Sequence, residues 1–294
     1  MREITKFARN MKLFTEVACE KIRPLSRDGR ICVLGSCFAD SIGERLAAAG
    51  FDVLRNPFGT LYNPASVAAA VERLDSARPF TEAECVEMGA GAGLVCSFSH
   101  HTRFARPTAA EFLEAANAAL AADAAAWAGC SRVLVTLGTA RVWRALERPG
   151  EPVVANCLKR PAREFSHELL SVEACATLLR TMVETHPDKE FLFTVSPIRH
   201  LGDGAHANTL SKATLHLAVE AVLQPRVSYF PAYEILLDEL RDYRFYADDL
   251  VHPADNAVQL IWERFLDACT DPADRQAILA AERASRAALH RPLR

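Results

Sequence analysis

The hydrophobic positions of this chain form two patterns, short continuous runs and longer runs with helical spacing. Continuous apolar runs predict buried strands at 31–34, 51–54, 132–137, 190–195 and 227–230. Helical spacing predicts helices at 38–50, 64–74, 108–127, 166–186, 206–223, 233–240 and 253–269. Strands that are apolar throughout are covered by helices on both faces. The alternation therefore predicts one α/β domain built on a parallel sheet.

Several stretches carry a weaker pattern. Residues 144–163 predict a loop-rich insertion, and the Ala- and Arg-rich residues 271–294 predict a surface helix with a frayed end. Asn63 and Pro64 are typical of the cap and the first position of a helix. No shift in composition and no long linker marks a second domain.

The first predicted strand ends at Gly35, and a helix follows directly, so Ser36 lies on the turn between them. The first N–H groups of a helix have no internal acceptor and point outward. Together with the helix dipole they favour an anion or an oxyanion at this position. Ser36 is therefore either a plain helix cap or a candidate nucleophile.

A polar loop precedes the last long helix and reads Asp-Asp-Leu-Val-His-Pro over 248–253. A serine nucleophile needs a base, and the base needs a carboxylate that orients it. Asp249 and His252 have a spacing that allows this pairing within one loop, and Asp248 is the competing carboxylate. Pro253 favours extended geometry at His252 and suits the first turn of the following helix. The alternative interpretation of this sequence is a surface loop with a capping aspartate.

Composition and charge narrow the range of partners. The chain has 294 residues, 50% hydrophobic and 24% charged, which is typical of a soluble globular protein. A net charge of −3 predicts no binding to nucleic acid or to an anionic membrane. No apolar run reaches the roughly 20 residues of a membrane span, and the first residues lead into no signal-peptide core. The nine cysteines include no Cys-x-x-Cys pair, so we predict reduced thiols, no metal and a cytoplasmic location.

Residues 35–39 read Gly-Ser-Cys-Phe-Ala, the letters after which the GSCFA family is named. Over about residues 30–266 the chain resembles this family, with further matching stretches at 56–59, 62–64, 136–140, 155–157, 195–200, 210–213, 229–234 and 240–246. A Gly-Ser turn after the first strand and Asp-x-x-His-Pro before the last helix also resemble the SGNH (GDSL-like) hydrolases. The resemblance implies a three-layer α/β/α, flavodoxin-like fold over 31–268, with an N-terminal extension at 1–30 and a helical tail at 269–294.

The same resemblance implies a catalytic triad. Ser36 matches the nucleophile, His252 the base and Asp249 the residue that orients the base. Cys37 is an alternative nucleophile beside Ser36, although a buried, structural Cys37 is the favoured interpretation of the sequence.

The oxyanion donors are less completely matched. Gly59 corresponds to a glycine whose backbone N–H binds the oxyanion in SGNH hydrolases. The superfamily's Gly-x-Asn is replaced here by Gly-Thr-Ala at 138–140, so the asparagine donor is missing. The replacement is Thr139, Asn63 or Asn156, or there is none.

The leading hypothesis is therefore a serine hydrolase that removes an acyl group from a small-molecule or carbohydrate ester, such as an O-acylated sugar. Arg199 and His200 follow a predicted strand and either face the cleft or brace a loop. We expect no cofactor. The alternatives are an acyltransferase with the same site, and a non-catalytic binding protein that kept the fold. The sequence leaves the oligomeric state open.

Overall fold

The structure is a computed structural model, and it describes residues 15–289 of the chain. The predictions for 1–14 and 290–294 lie outside the described residues. The strands are β1 Arg30–Gly35, β2 Asp52–Arg55, β3 Val86–Glu87, β4 Val95–Cys96, β5 Cys130–Leu137, β6 Arg141–Ala145, β7 Val153–Val154, β8 Phe165–Leu169, β9 Glu190–Val195 and β10 Val227–Tyr229.

Five of these strands form a central parallel sheet in the order β10-β9-β5-β1-β2. Strand β1 lies between β2 and β5 and is parallel to both, with Ile31 beside Val53 and Arg132. The chain moves outward from β1 in one direction to β2 and in the other to β5, β9 and β10. In sheets of this kind, sites form beyond the carboxyl ends of the strands where the order reverses, which here is between β1 and β5.

Helices cover both faces of this sheet. They are α1 Cys37–Ala48, α2 Pro64–Ser76, α3 Ala109–Ala128, α4 Val172–Glu184, α5 Ala205–Glu220, α6 Ala232–Glu234, α7 Asp255–Cys269 and α8 Arg275–Leu289. Alternate residues of β1 enter two separate cores: Cys32 and Leu34 pack with α2 to α5, whereas Ile31 and Val33 pack with α1, α6, α7 and α8. The predicted three-layer α/β/α fold with a parallel sheet is confirmed.

Local capping explains where several helices begin. Asn63 Oδ1 accepts a hydrogen bond from the Ser66 N–H at 2.8 Å, and Pro64 is the first helical residue of α2, as predicted. Thr108 caps α3 and Ser171 caps α4 in the same way.

The structure differs from the predicted secondary structure at the start of one helix and in a sheet that was not predicted. Residues 165–169 form strand β8 rather than the start of a helix, because the helix begins only after the Ser171 cap. The segment 144–163 is largely loop, as predicted, but it contains the short strand β7, and β6, β7 and β8 form a three-stranded antiparallel sheet that was not predicted.

Helix α7 also begins later than predicted. Pro253 forms an isolated bridge with Tyr246, and α7 begins at Asp255 after Ala254. The proline therefore lies in the preceding loop and not at the first position of the helix.

The segments outside the predicted domain pack onto it. Ile22 and Leu25 are buried, and their N–H groups donate to carbonyls at the end of α7, at 3.0 and 2.7 Å. Ile278 buries α8 against the same core. Within 15–289, no helix has both the length and the apolar character that crossing a membrane requires.

Candidate active site

The site is built on a close approach between the ends of β1 and β5. Gly35 has φ +132°, and a Cβ there would lie 2.1 Å from the Thr136 carbonyl oxygen of β5. Only glycine fits this combination of backbone angle and contact. The Gly35 N–H donates to Asn56 Oδ1 at 2.9 Å, and Asn56 Nδ2 donates to Asp40 of α1 at 2.8 Å. These contacts fix the turn that leads into α1.

Ser36 and Cys37 face different surroundings. Ser36 is the cap residue of α1 and is fully buried, and its Oγ has no hydrogen-bond partner among the described residues. Cys37 is the first helical residue and is half-buried. Its Sγ lies 3.8 Å from Nε2 of His252. The structure therefore brings Cys37, and not Ser36, into contact with the predicted base.

Asp249 and His252 meet within one loop, as their spacing predicted. His252 Nδ1 lies 2.6 Å from Asp249 Oδ2, while Asp249 Oδ1 accepts from the N–H groups of Val251 and His252, each at 2.9 Å. The loop is closed by a 2.8 Å hydrogen bond from the Ala247 N–H to the His252 carbonyl. The backbone of one tight loop thus holds the carboxylate beneath the imidazole.

The same hydrogen bonds keep Asp249 ionised. The backbone N–H groups of His252 and Val251, followed by the His252 side chain, lower the pKa of Asp249 to about 2. Asp248 is exposed and, within the described residues, makes no hydrogen bond to the imidazole. Because the carboxylate accepts a hydrogen bond at Nδ1, the neutral imidazole carries its proton there and leaves Nε2 free to accept one.

The groups around Cys37 shift the pKa of its thiol in opposite directions. Burial, together with the charge of Asp40, raises the pKa of its thiol, while the N–H groups of Cys37 and Phe38 and the Tyr62 side chain act in the opposite direction. The Tyr62 ring packs edge-on against the ring of His200, with centroids 5.5 Å apart. Burial lowers the pKa of His200 to about 4, so this histidine is neutral at pH 7.

A buried lysine completes the surroundings of the thiol. Lys212 of α5 is 2% exposed, and its Nζ donates to the carbonyls of Gly138 and Ser196, each at 2.7 Å. These carbonyls directly follow β5 and β9. Burial lowers the pKa of Lys212 to about 7, and negative charge on Cys37 acts to raise it. Lys212 was not predicted from the sequence as a site residue, although it lies on the buried face of α5 with Asn208 and Leu215.

The family model of the GSCFA family matches residues 30–265. The chain belongs to the GSCFA family. The match runs from the first residue of β1 into α7, and it includes both the Gly-Ser-Cys-Phe-Ala turn and the Asp249–His252 loop. A comparison with curated proteins found no match.

Three of the remaining residues predicted for this GSCFA site have a side-chain oxygen in a local hydrogen bond. The oxygen of Asn63 caps α2, and the oxygen of Asn156 accepts from the Leu158 N–H at 2.8 Å. The Thr139 hydroxyl lies 2.8 Å from Ser211 Oγ.

Gly59 and Arg199 also make local backbone contacts. The Gly59 N–H donates to the Asn56 carbonyl at 2.8 Å, and φ of +85° together with His101 packed against it accounts for the glycine. The Arg199 N–H donates to the Val251 carbonyl at 3.2 Å, which braces the histidine loop.

Proposed function

We propose that this chain hydrolyses an ester through a covalent acyl-enzyme, as the SGNH hydrolases that its sequence resembles do. The supporting observation is the 2.6 Å contact between Asp249 and His252, with Nε2 of the imidazole turned towards the start of α1. A nucleophile, a base and an oriented carboxylate are the groups that acyl transfer requires. Ser36 remains the nucleophile predicted from the sequence.

His252 acts as the base in this proposal. Its Nε2 accepts the proton of the nucleophile and later returns it to the leaving alcohol. Asp249 holds the imidazole in the required tautomer and stabilises the imidazolium by its charge. A carboxyl with a pKa of about 2 remains ionised throughout the neutral range.

The start of α1 supplies donors for the oxyanion. The N–H groups of Cys37 and Phe38 have no acceptor within the helix, and the Ser36 side chain does not cap it. Helix α1 has 12 residues, and its dipole adds to the attraction for negative charge. Loss of one oxyanion donor typically costs about two to three orders of magnitude in rate. These backbone donors support catalysis without the asparagine of the superfamily.

Access to the site supports a soluble ester as substrate. The side chains of His252 and Asp249 are 48% and 50% exposed, so an ester can reach Nε2 directly from solvent. A small acyl ester, including an O-acylated sugar, fits such an open site.

The test is an esterase screen with para-nitrophenyl acetate and with acetylated sugars. We expect His252→Gln to lower the hydrolysis rate by about two orders of magnitude or more, as for the loss of a general base. His206→Gln is the matched control, because His206 is an exposed histidine at the start of α5. Equal hydrolysis by the wild type and His252→Gln would refute the proposed function.

A further inference from the structure

We propose that Cys37, rather than Ser36, is the nucleophile that His252 and Asp249 activate. This inference rests on the proposed function for its reaction, but the reactivity of the thiol can be measured without any ester. It assigns a catalytic role to a residue that the sequence favoured as a structural cysteine.

The contact with the base is the first argument. The 3.8 Å between Cys37 Sγ and His252 Nε2 falls within the hydrogen-bond range of a sulfur atom. Ser36 Oγ is enclosed by protein and has no such contact with the imidazole. A base must be within reach of the proton that it removes, so geometry selects the thiol.

The backbone explains why neighbouring residues differ in this way. Ser36 is extended, with φ −67° and ψ 177°, and its N–H is tied to the Thr136 carbonyl of β5 at 3.1 Å. Cys37 is already helical and belongs to the first turn of α1. The serine side chain is therefore directed into the protein, whereas the cysteine side chain lies at the half-buried surface below His252.

Without a base the Cys37 thiol stays neutral, because burial and the nearby Asp40 carboxylate raise its pKa. The N–H groups at the start of α1, the Tyr62 side chain and the ammonium of Lys212 all act in favour of negative charge on sulfur. An imidazole that accepts the proton adds a positive charge next to it. Burial opposes these contributions, so the thiol depends on His252 for its activation.

The chemical steps balance without a further reactant. Nε2 of His252 takes the thiol proton, and sulfur attacks the ester carbonyl, which forms a C–S bond and places the carbonyl electron pair on oxygen. The intermediate then breaks its C–O bond, and the alcohol leaves with the proton held by His252. Water next attacks the thioester and gives one proton to His252. The C–S bond breaks, the acid departs, and the thiolate recovers that proton.

The first test measures thiol reactivity alone. Iodoacetamide labelling with peptide mapping gives the alkylation rate of each cysteine at pH 7. Cys157 is the internal control, because it is also half-buried and its thiol makes no hydrogen bond within residues 15–289. We expect Cys37 to react about tenfold faster than Cys157, and we expect His252→Gln to remove this advantage. Equal rates for the two cysteines, or a Cys37 rate that His252→Gln leaves unchanged, would overturn the proposal.

The second test locates the acyl group. After rapid mixing with para-nitrophenyl acetate and acid quenching, the acetyl adduct is mapped and treated with neutral hydroxylamine, which cleaves a thioester much faster than a serine ester. We expect a labile adduct on Cys37 that persists in Ser36→Ala and disappears in Cys37→Ala, with Cys157→Ala as the control for loss of a thiol. A stable adduct on Ser36 would overturn the role of Cys37 and leave the hydrolase proposal intact. Activated Cys37 without ester turnover would refute the hydrolase and support the activation of this thiol.

Discussion

The burial of Lys212 makes the free energy of unfolding depend on pH. Its ammonium is 2% exposed, and within the described residues no carboxylate lies at ion-pair distance from it. The charged and titratable groups near it are Cys37, His200 and His216, together with the ring of Tyr233 at 5.8 Å. Burial lowers its pKa from the ordinary 10.5 to about 7.

The direction follows from proton binding in the two states. Between pH 7 and pH 10.5 the unfolded chain holds a proton on this lysine that the folded chain lacks, so the free energy of unfolding rises with pH across that window. Below pH 7 both states are protonated, and the full cost of burying the charge remains. The gap between the two pKa values corresponds to about 5 kcal/mol. This figure is an upper limit, because the carbonyls of Gly138 and Ser196 accept hydrogen bonds from the charged form.

The assay is urea unfolding of the wild type and Lys212→Met at several pH values from about 6.5 to 9.5. The methionine is similar in length but leaves two carbonyls without a donor, so the variant carries a constant penalty. The pH-dependent part of the difference reports the lysine together with its coupling to Cys37, His200 and His216, while the titration of all other groups is common to both proteins. We expect the wild type to gain up to about 3 kcal/mol relative to the variant across this range.

Lys189→Met is the matched control. Lys189 is also buried, and its ammonium donates to two carbonyls, but Asp188 lies 3.2 Å away. This variant therefore shows what the loss of a buried ammonium with two carbonyl acceptors does to the free energy of unfolding away from the site. If the curves for the wild type and Lys212→Met stay parallel over the whole range, the argument from burial is refuted.

Three further predictions follow from single contacts. Asp249→Asn should lower ester hydrolysis by about one to four orders of magnitude, whereas Asp248→Asn should change it by less than about tenfold, and the reverse order in the same assay would contradict the assignment. Gly35→Ala should cost about 3 kcal/mol or more, measured by urea unfolding, because its Cβ would meet a β5 carbonyl at 2.1 Å, and a near-neutral result would show that this turn relaxes. The indole N–H of buried Trp127 donates to the Asp75 carboxylate at 2.7 Å, so Asp75→Ala leaves it without an acceptor and should lower the free energy of unfolding by about 1–3 kcal/mol. An unchanged free energy of unfolding would argue against that role.

The central sheet could be predicted because its strands carry a strong local signal. Continuous apolar runs coincide with β5 and β9, and the cap residues Asn63 and Thr108 mark the starts of α2 and α3. The antiparallel sheet of β6, β7 and β8 was missed because these strands are two to five residues long and only partly buried. Ser171 was the available signal that residues 165–169 precede the helix rather than begin it.

The residues of the site could be predicted better than the directions of their side chains. The Asp-x-x-His spacing gave the contact between Asp249 and His252, because both residues belong to one short loop. The choice between Ser36 and Cys37 depends instead on which residue is extended and which is helical at the start of α1. That difference is set by the close approach of β1 to β5, a contact between segments about 100 residues apart in sequence. The local sequence around residues 36 and 37 does not predict this contact.

Lys212 affects both the stability of the fold and the proposed nucleophile. Its ammonium connects the ends of β5 and β9 through the carbonyls of Gly138 and Ser196, next to the turn that carries Cys37. A buried charge without a carboxylate partner is costly to a fold. Negative charge on Cys37 raises the pKa of this lysine, and electrostatic coupling of two groups is reciprocal, so the ammonium must favour the thiolate by the same amount. The free energy that the fold loses by burying Lys212 is thus partly recovered whenever Cys37 is ionised, which ties the buried lysine to the reactive form of the proposed nucleophile.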